Sequence, residues 1–90
     1  MHEHSLMQNL LTRIHQLAAA ENRVPIAVTI QLGALAHISA SHFREHFEQE
    51  TTGTTLQGTR LEIQELADIY HPQAQDIVLK SLTFETADDH

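Results

Sequence analysis

Residues 26–32 alternate without a break: Ile26, Val28, Ile30 and Leu32 fall on one face of an extended chain, Ala27, Thr29 and Gln31 on the other. A strand with this period buries one face and needs a second layer to cover it. That layer is written on both sides of it. Leu6, Met7, Leu10, Leu11, Ile14, Leu17 and Ala18 recur at helical intervals as one stripe, with Gln8, Asn9, Arg13 and Gln16 off it. Ser5 and Gln8 have the spacing of a capping box, so the pattern predicts a first helix from about Leu6 to Glu21, with Asn22 and Pro25 marking the turn.

Beyond Gly33, Ser39 is the predicted N-cap of a second helix, with Ile38 and Phe43 spaced as a hydrophobic staple across it. Phe43 and Phe47 lie one turn apart and are expected to pack on the sheet. Thr51, Thr52 and Gly53 end this helix, Gly53 as a left-handed terminal residue. A short strand follows Gly58, with Leu61 and Ile63 opposing Arg60, Glu62 and Gln64. The segment from Asp76 to Glu85 is the last strand. Its parity breaks: Ile77 and Leu79 share one face, Val78, Leu82 and Phe84 the other, which predicts a bulge near Lys80 or burial on both faces. The expected fold is α+β, a two-layer sandwich of two helices packed on a small three-stranded sheet, in the order α-β-α-β-β. A chain of 90 residues makes a single domain, 1–90, with no linker or repeat.

Five Lys and Arg against 12 Asp and Glu give a formal net charge of −7, which argues against nucleic acid or an anionic membrane as partner. The absence of cysteine excludes disulfides, thiolate zinc sites, iron–sulfur clusters and Cys nucleophiles. No apolar run approaches the roughly 20 residues of a membrane helix. Met1-His2-Glu3-His4 has neither the basic start nor the apolar stretch of a signal peptide, and the chain reads as cytoplasmic.

The unusual component is histidine, with eight residues scattered along the chain. The N-terminus is the first chemical candidate. A free α-amine, with a pKa of about 7.7–8.0, is a good nitrogen ligand once deprotonated. His2 sets an imidazole within chelating distance of it, and Ni²⁺ or Cu²⁺ can displace protons from the intervening amides to give a tetragonal all-nitrogen site. Such a chelate needs Met1 retained and unextended; the plainer reading is that Met-His is one arbitrary start among many. The second candidate is His42-Phe43-Arg44-Glu45-His46, which fits the H-x-x-E-H pattern of zinc metalloproteases. A catalytic zinc there would need a third protein ligand and a cleft, for which the chain has little room. The heavier reading places His42 and His46 on the solvated side of a helix whose Phe43 and Phe47 face inward. His15, His37, His71 and His90 read as surface residues, and Glu45, Glu48 and Glu50 as a solvated acidic face. No phosphate-binding glycine loop or nucleophilic triad is present, so the chain does not read as an enzyme.

Taken together, these segments resemble the HypA/HybF family of hydrogenase nickel incorporation proteins. Met1-His2-Glu3 followed by Ser5-Leu6 is similar to the family's start, M-H-E-x-[SA]-[LI]. Val28 to Leu35 resembles its V-x-[LI]-x-[LIV]-G strand and turn, and Phe43 to Glu48 the helix that follows. Gly53-Thr54 through Gly58-Thr59-Arg60-Leu61-Glu62-Ile63 is similar to G-T-x-x-x-G-A-x-L-x-I, and Asp76 to Glu85 to the closing strand. Two departures stand out. Family members carry a zinc domain with paired C-x-x-C motifs between the last two strands; here a cysteine-free loop, 66–75, takes its place, so no structural zinc is expected, and Arg60–Glu65 and Asp76–Glu85 are expected to pair as a hairpin. His4 stands where the family has a bulky apolar or aromatic residue.

The resemblance implies a nickel metallochaperone. It assigns Ni²⁺ to Met1 and His2 as ligands, with Glu3 contributing its amide and a nearby carboxylate, and His4 as a possible addition. The implied partners are a hydrogenase maturation GTPase and the [NiFe]-hydrogenase large-subunit precursor. The alternative is an adaptor module for the same partners that binds no metal.

Overall fold

The computed structural model describes residues 2–85, with side chains from residue 5 onward. Its elements are α1 (His2–Glu21), β1 (Pro25–Leu32), α2 (Ala40–Thr51), β2 (Arg60–Glu65) and β3 (Ile77–Phe84). The order is the predicted α-β-α-β-β, and the fold is α+β. The apolar stripe of α1 is buried as expected through Met7, Leu10, Leu11 and Ile14, which meet Val28, Ile30 and Leu32 of β1 and Phe43 and Phe47 of α2 in one core. Leu56, between α2 and β2, and Leu61 complete it.

The helix ends follow local chemistry at three of four points. Ser39 caps α2, its hydroxyl accepting the amide of His42 at 3.1 Å. Thr51 and Thr52 close α2 by turning their hydroxyls back onto Phe47 and Glu48 carbonyls, before Gly53 takes φ +83°. At the end of α1, Asn22 adopts φ 56° while its amide donates to Ala19 and that of Arg23 to Ala18, a paired closure that satisfies two of the last carbonyls. The fourth point departs from expectation. α1 starts at His2, so Ser5 is an interior residue and not the cap. Residues 2–4 contain no Pro or Gly to stop the helix, and the spacing Ser5–Gln8 is met inside a helix as readily as at its start.

The sheet order is β2-β1-β3, with β2 parallel and β3 antiparallel to β1. The expected hairpin between Arg60–Glu65 and Asp76–Glu85 therefore does not form: β1 lies between the two segments. The physical reason is composition. β1 is the most apolar strand and is nearly all buried, so it takes the centre, where both of its edges are paired. β2 and β3 carry Arg60, Glu62, Gln64, Lys80 and Ser81, all exposed, and such residues suit open edges.

The predicted irregularity in β3 is present. Thr29 pairs with Ser81 and Ile30 with Leu79, leaving Lys80 as the extra residue. The bulge restores parity: Ile77, Leu79 and Leu82 all pack against the core despite their uneven spacing. Ile26 is a correction. Alternation puts it on the buried face, but it is 45% exposed. A register shift between Pro25 and Ala27 drops Ile26 from the β1–β3 ladder, and Ala27 is buried instead.

Residues 66–76 carry the chain from one edge of the sheet to the other across the end of β1. Leu66 donates to Leu32 O at 2.9 Å, Gly33 to Asp76 O at 2.9 Å and Leu35 to Ala74 O at 2.7 Å. This strap is closed by backbone hydrogen bonds and, in a chain without cysteine, not by a disulfide. α1 lies over the β3 side of the sheet and α2 over β2, where Arg44 Nη1 donates to Leu61 O at 2.7 Å.

Candidate functional site

The first candidate site is the start of α1. Met1 lies outside the described residues, as do the side chains of His2, Glu3 and His4. What the backbone contributes is the helix start itself. A helix leaves its first amides without intrahelical acceptors, and here these include the amides of His2, Glu3 and His4. The amides that a terminal nitrogen chelate recruits are thus not held in the helix ladder. The donor chemistry of this segment, imidazoles and uncommitted amides, is the set that suits Ni²⁺ or Cu²⁺.

α1 and α2 begin at the same end of the molecule. α1 runs into β1 through a tight turn, and α2 links the end of β1 to the start of the parallel β2, so both helices run against β1. Consistently, residues beyond the end of α1 share a surface depression with Thr55, just past the end of α2. The strap reaches the end where the helices begin, and Leu6, Asn9 and Leu10 of α1 line a groove there with Asp76, Ile77 and Leu79.

The second candidate, His42-Phe43-Arg44-Glu45-His46, lies wholly on α2. Phe43 and Phe47 are buried as predicted, which turns His42 outward and leaves His46 half-buried at the helix flank. His46 Nε2 is 3.6 Å from Glu50 Oε2, and Glu50 Oε1 accepts a hydrogen bond of 2.9 Å from Gln8 Nε2 of α1. Glu50, read from sequence as part of a solvated acidic face, instead ties the two helices together; Glu45 and Glu48 are exposed. His42, Glu45, His46 and Gln49 line a depression of about 160 Å³. Among the described residues no group of three His, Cys, Asp or Glu side chains converges as a metal site, so the third ligand that a catalytic zinc requires is not found there.

The other histidines divide. His15 is exposed and His37 sits in a loop at φ 63°, as expected. His71 is half-buried and part of the strap, its Nδ1 accepting the amide of Gln73 at 2.9 Å. Its role as a turn acceptor is not readable from the dipeptide His71-Pro72. His90 lies outside the described residues.

Residues 1–71 match the family described as hydrogenase/urease nickel incorporation, metallochaperone, HypA. The chain belongs to the HypA family. It is 36% identical over 67 residues to the hydrogenase maturation factor HypA of Azotobacter chroococcum mcd 1, covering 73% of this chain and 59% of the relative. It is 33% identical over 64 residues to the HypA of Acidithiobacillus ferrooxidans (strain ATCC 53993 / BNL-5-31), covering 70% and 57%, and 34% identical over 67 residues to that of Azotobacter vinelandii. The chain thus spans less than two thirds of the length of the curated relatives it matches. β3 lies beyond the residues of the family match. The family is described as one of nickel-incorporation metallochaperones. No helix among the described residues is long and apolar enough to cross a membrane.

Proposed function

We propose that this HypA-family chain is a nickel-binding maturation factor that holds Ni²⁺ at its N-terminus and delivers it during assembly of a [NiFe]-hydrogenase. The ligands are the α-amine of Met1, the imidazole of His2 and the amide nitrogens of His2 and Glu3, with His4 as an added imidazole beside them. The observation that carries this reading is that α1 begins at His2, so that these amides stand outside the helix ladder in a family defined by nickel incorporation.

The protein's part in the transfer is to present the ion. Amide nitrogens and imidazole suit Ni²⁺, and a site at a chain terminus is open enough to give the ion up. The small sandwich behind it supplies a rigid base. We assign the chain no catalytic step. Its partners in this reading are a maturation GTPase and the hydrogenase large-subunit precursor, in the cytoplasm; the zinc domain of longer relatives is replaced by the strap.

The test is a calorimetric Ni²⁺ titration of protein with its native N-terminus, beside His2→Ala and a form with two residues added before Met1. The expected result is one equivalent bound at micromolar strength that both altered forms lose. Equal affinity in all three proteins would overturn the terminal chelate and favour the adaptor reading.

A further inference from the structure

The open edge of β3 is its own complement. Residues 76–80 are Asp76, Ile77, Val78, Leu79 and Lys80, an acid, three apolar residues and a base. Laid antiparallel on itself about Val78, this segment sets Asp76 opposite Lys80 and Ile77 opposite Leu79, each twice. We propose that two copies of the chain pair along this edge, β3 against β3, as a two-fold dimer that joins their two three-stranded sheets into one.

Backbone direction decides whether that pairing can be made. Along an antiparallel ladder each residue turns its N–H and C=O to one side, and the side alternates. Leu32 O accepts from Leu66 on the β2 side, and Gly33 donates to Asp76 O on the β3 side. In the register that sets Gln31 beside Val78, the backbone groups of Val78 therefore face β1, and those of Ile77 and Leu79 face outward. Among the described residues no strand pairs with that edge. In the two-fold register Ile77 meets the partner's Leu79, and Leu79 the partner's Ile77, so the outward groups of both copies satisfy each other. A slip of one residue would set them against the partner's Val78, whose groups are already taken.

The side chains agree with the backbone. Ile77 and Leu79 are half-buried, pack against the core on the helix side and border a groove of about 430 Å³ with Leu6 and Leu10. Residues opposite each other on neighbouring strands share a face, so the partner's Ile77 and Leu79 extend this apolar wall. α1 and β3 both run against β1, which places Leu6 toward the Asp76 end of the groove and exposed Arg13 toward the Leu79 end. Arg13 and Lys80 thus make positive the end at which the partner's Asp76 arrives. Growth beyond two copies is blocked. The bulge at Lys80 ends the ladder, and the open edge of β2 carries exposed Arg60, Glu62 and Gln64, both of them devices that discourage further pairing.

The test is sedimentation equilibrium of the metal-free full chain from micromolar to millimolar concentration, where a reversible monomer–dimer equilibrium is expected. Asp76→Lys or Lys80→Asp sets like charges opposite each other at both ends of the pair and should weaken the dimer about tenfold. An equimolar mixture of the two variants restores opposite charges at both ends and should recover the dimer, as should the chain carrying both changes; recovery separates lost pairing from a damaged fold. Amide hydrogen exchange should slow with concentration at Ile77 and Leu79 and stay constant at Val78. A monomer across the whole range would overturn the proposal and leave the edge to a strand of another protein. So would a dimer indifferent to the single charge reversals, or one that the mixture fails to recover. The pairing does not rest on nickel binding: His2→Ala should leave it intact, so failure of the terminal chelate and failure of the dimer are told apart.

Discussion

The α-carbon of Gly33 lies against the carbonyl of Ala74. A Cβ built at Gly33 would overlap that carbonyl and stand 2.6 Å from Gln73 O. The contact fixes where the strap crosses the end of β1, and the adjoining hydrogen bonds from Gly33 to Asp76 and from Leu35 to Ala74 hold it there. The glycine is needed for close approach of two backbones, not for an unusual φ.

Gly33→Ala should accordingly destabilise the fold by about 1–3 kcal/mol, the range for forcing extra volume into a packed site, because the obstacle is backbone and cannot swing aside. Urea unfolding followed by circular dichroism measures it. A change below about 0.5 kcal/mol would mean that the strap is not seated on β1.

Loss of the α2 cap is a smaller effect. Ser39→Ala removes the acceptor of the His42 amide, and a cost of about 1 kcal/mol is expected from denaturant midpoints, whereas Ser39→Asp should retain most of the stability.

Deleting Lys80 should be tolerated, within about 1 kcal/mol of the parent stability. Without the extra residue, Ile77, Leu79 and Leu82 fall into regular alternation on the same face that the bulge now gives them. Inserting one alanine after Lys80 should instead cost several-fold more: the three side chains then share a face without a bulge, but Leu82 is carried two positions along β1 from its place opposite Val28 unless two extra residues bulge out together. Equal effects of deletion and insertion in thermal melts would contradict the observed register.

A chain beginning at Ser5 should fold with nearly the parent stability, within about 1 kcal/mol, yet lose high-affinity nickel. The apolar anchors of α1 begin at Met7, and fraying residues at a helix terminus contribute little. Thermal unfolding and nickel titration on the same sample separate stability from binding. A large fall in the midpoint would show that residues 1–4 belong to the fold.

Phe47→Ala should be strongly damaging, by about 3–5 kcal/mol, since Phe47 is fully buried between α2 and the sheet. For a domain of this size that is a large part of the total stability, and lost cooperativity in urea unfolding is the expected readout.

Much of this was determined by the sequence alone. The stripe from Met7 to Ile14, the alternation of Val28, Ile30 and Leu32, the cap at Ser39 and the parity break at Lys80 are all periodicity or local backbone chemistry, and each appears where the spacing puts it. The family is equally a matter of residue identity and order. What only the tertiary structure decided is which strand neighbours which. Alternation says that β2 and β3 each bury a face, but it carries nothing about pairing partners. Proximity in sequence suggested a hairpin, and burial overruled it: β1 has both edges to satisfy and takes the centre. The strap, the need for glycine at position 33 and the half-buried place of His71 follow from that one arrangement. So does the bond between Gln8 and Glu50, residues far apart in sequence that meet only because both helices cover one sheet face.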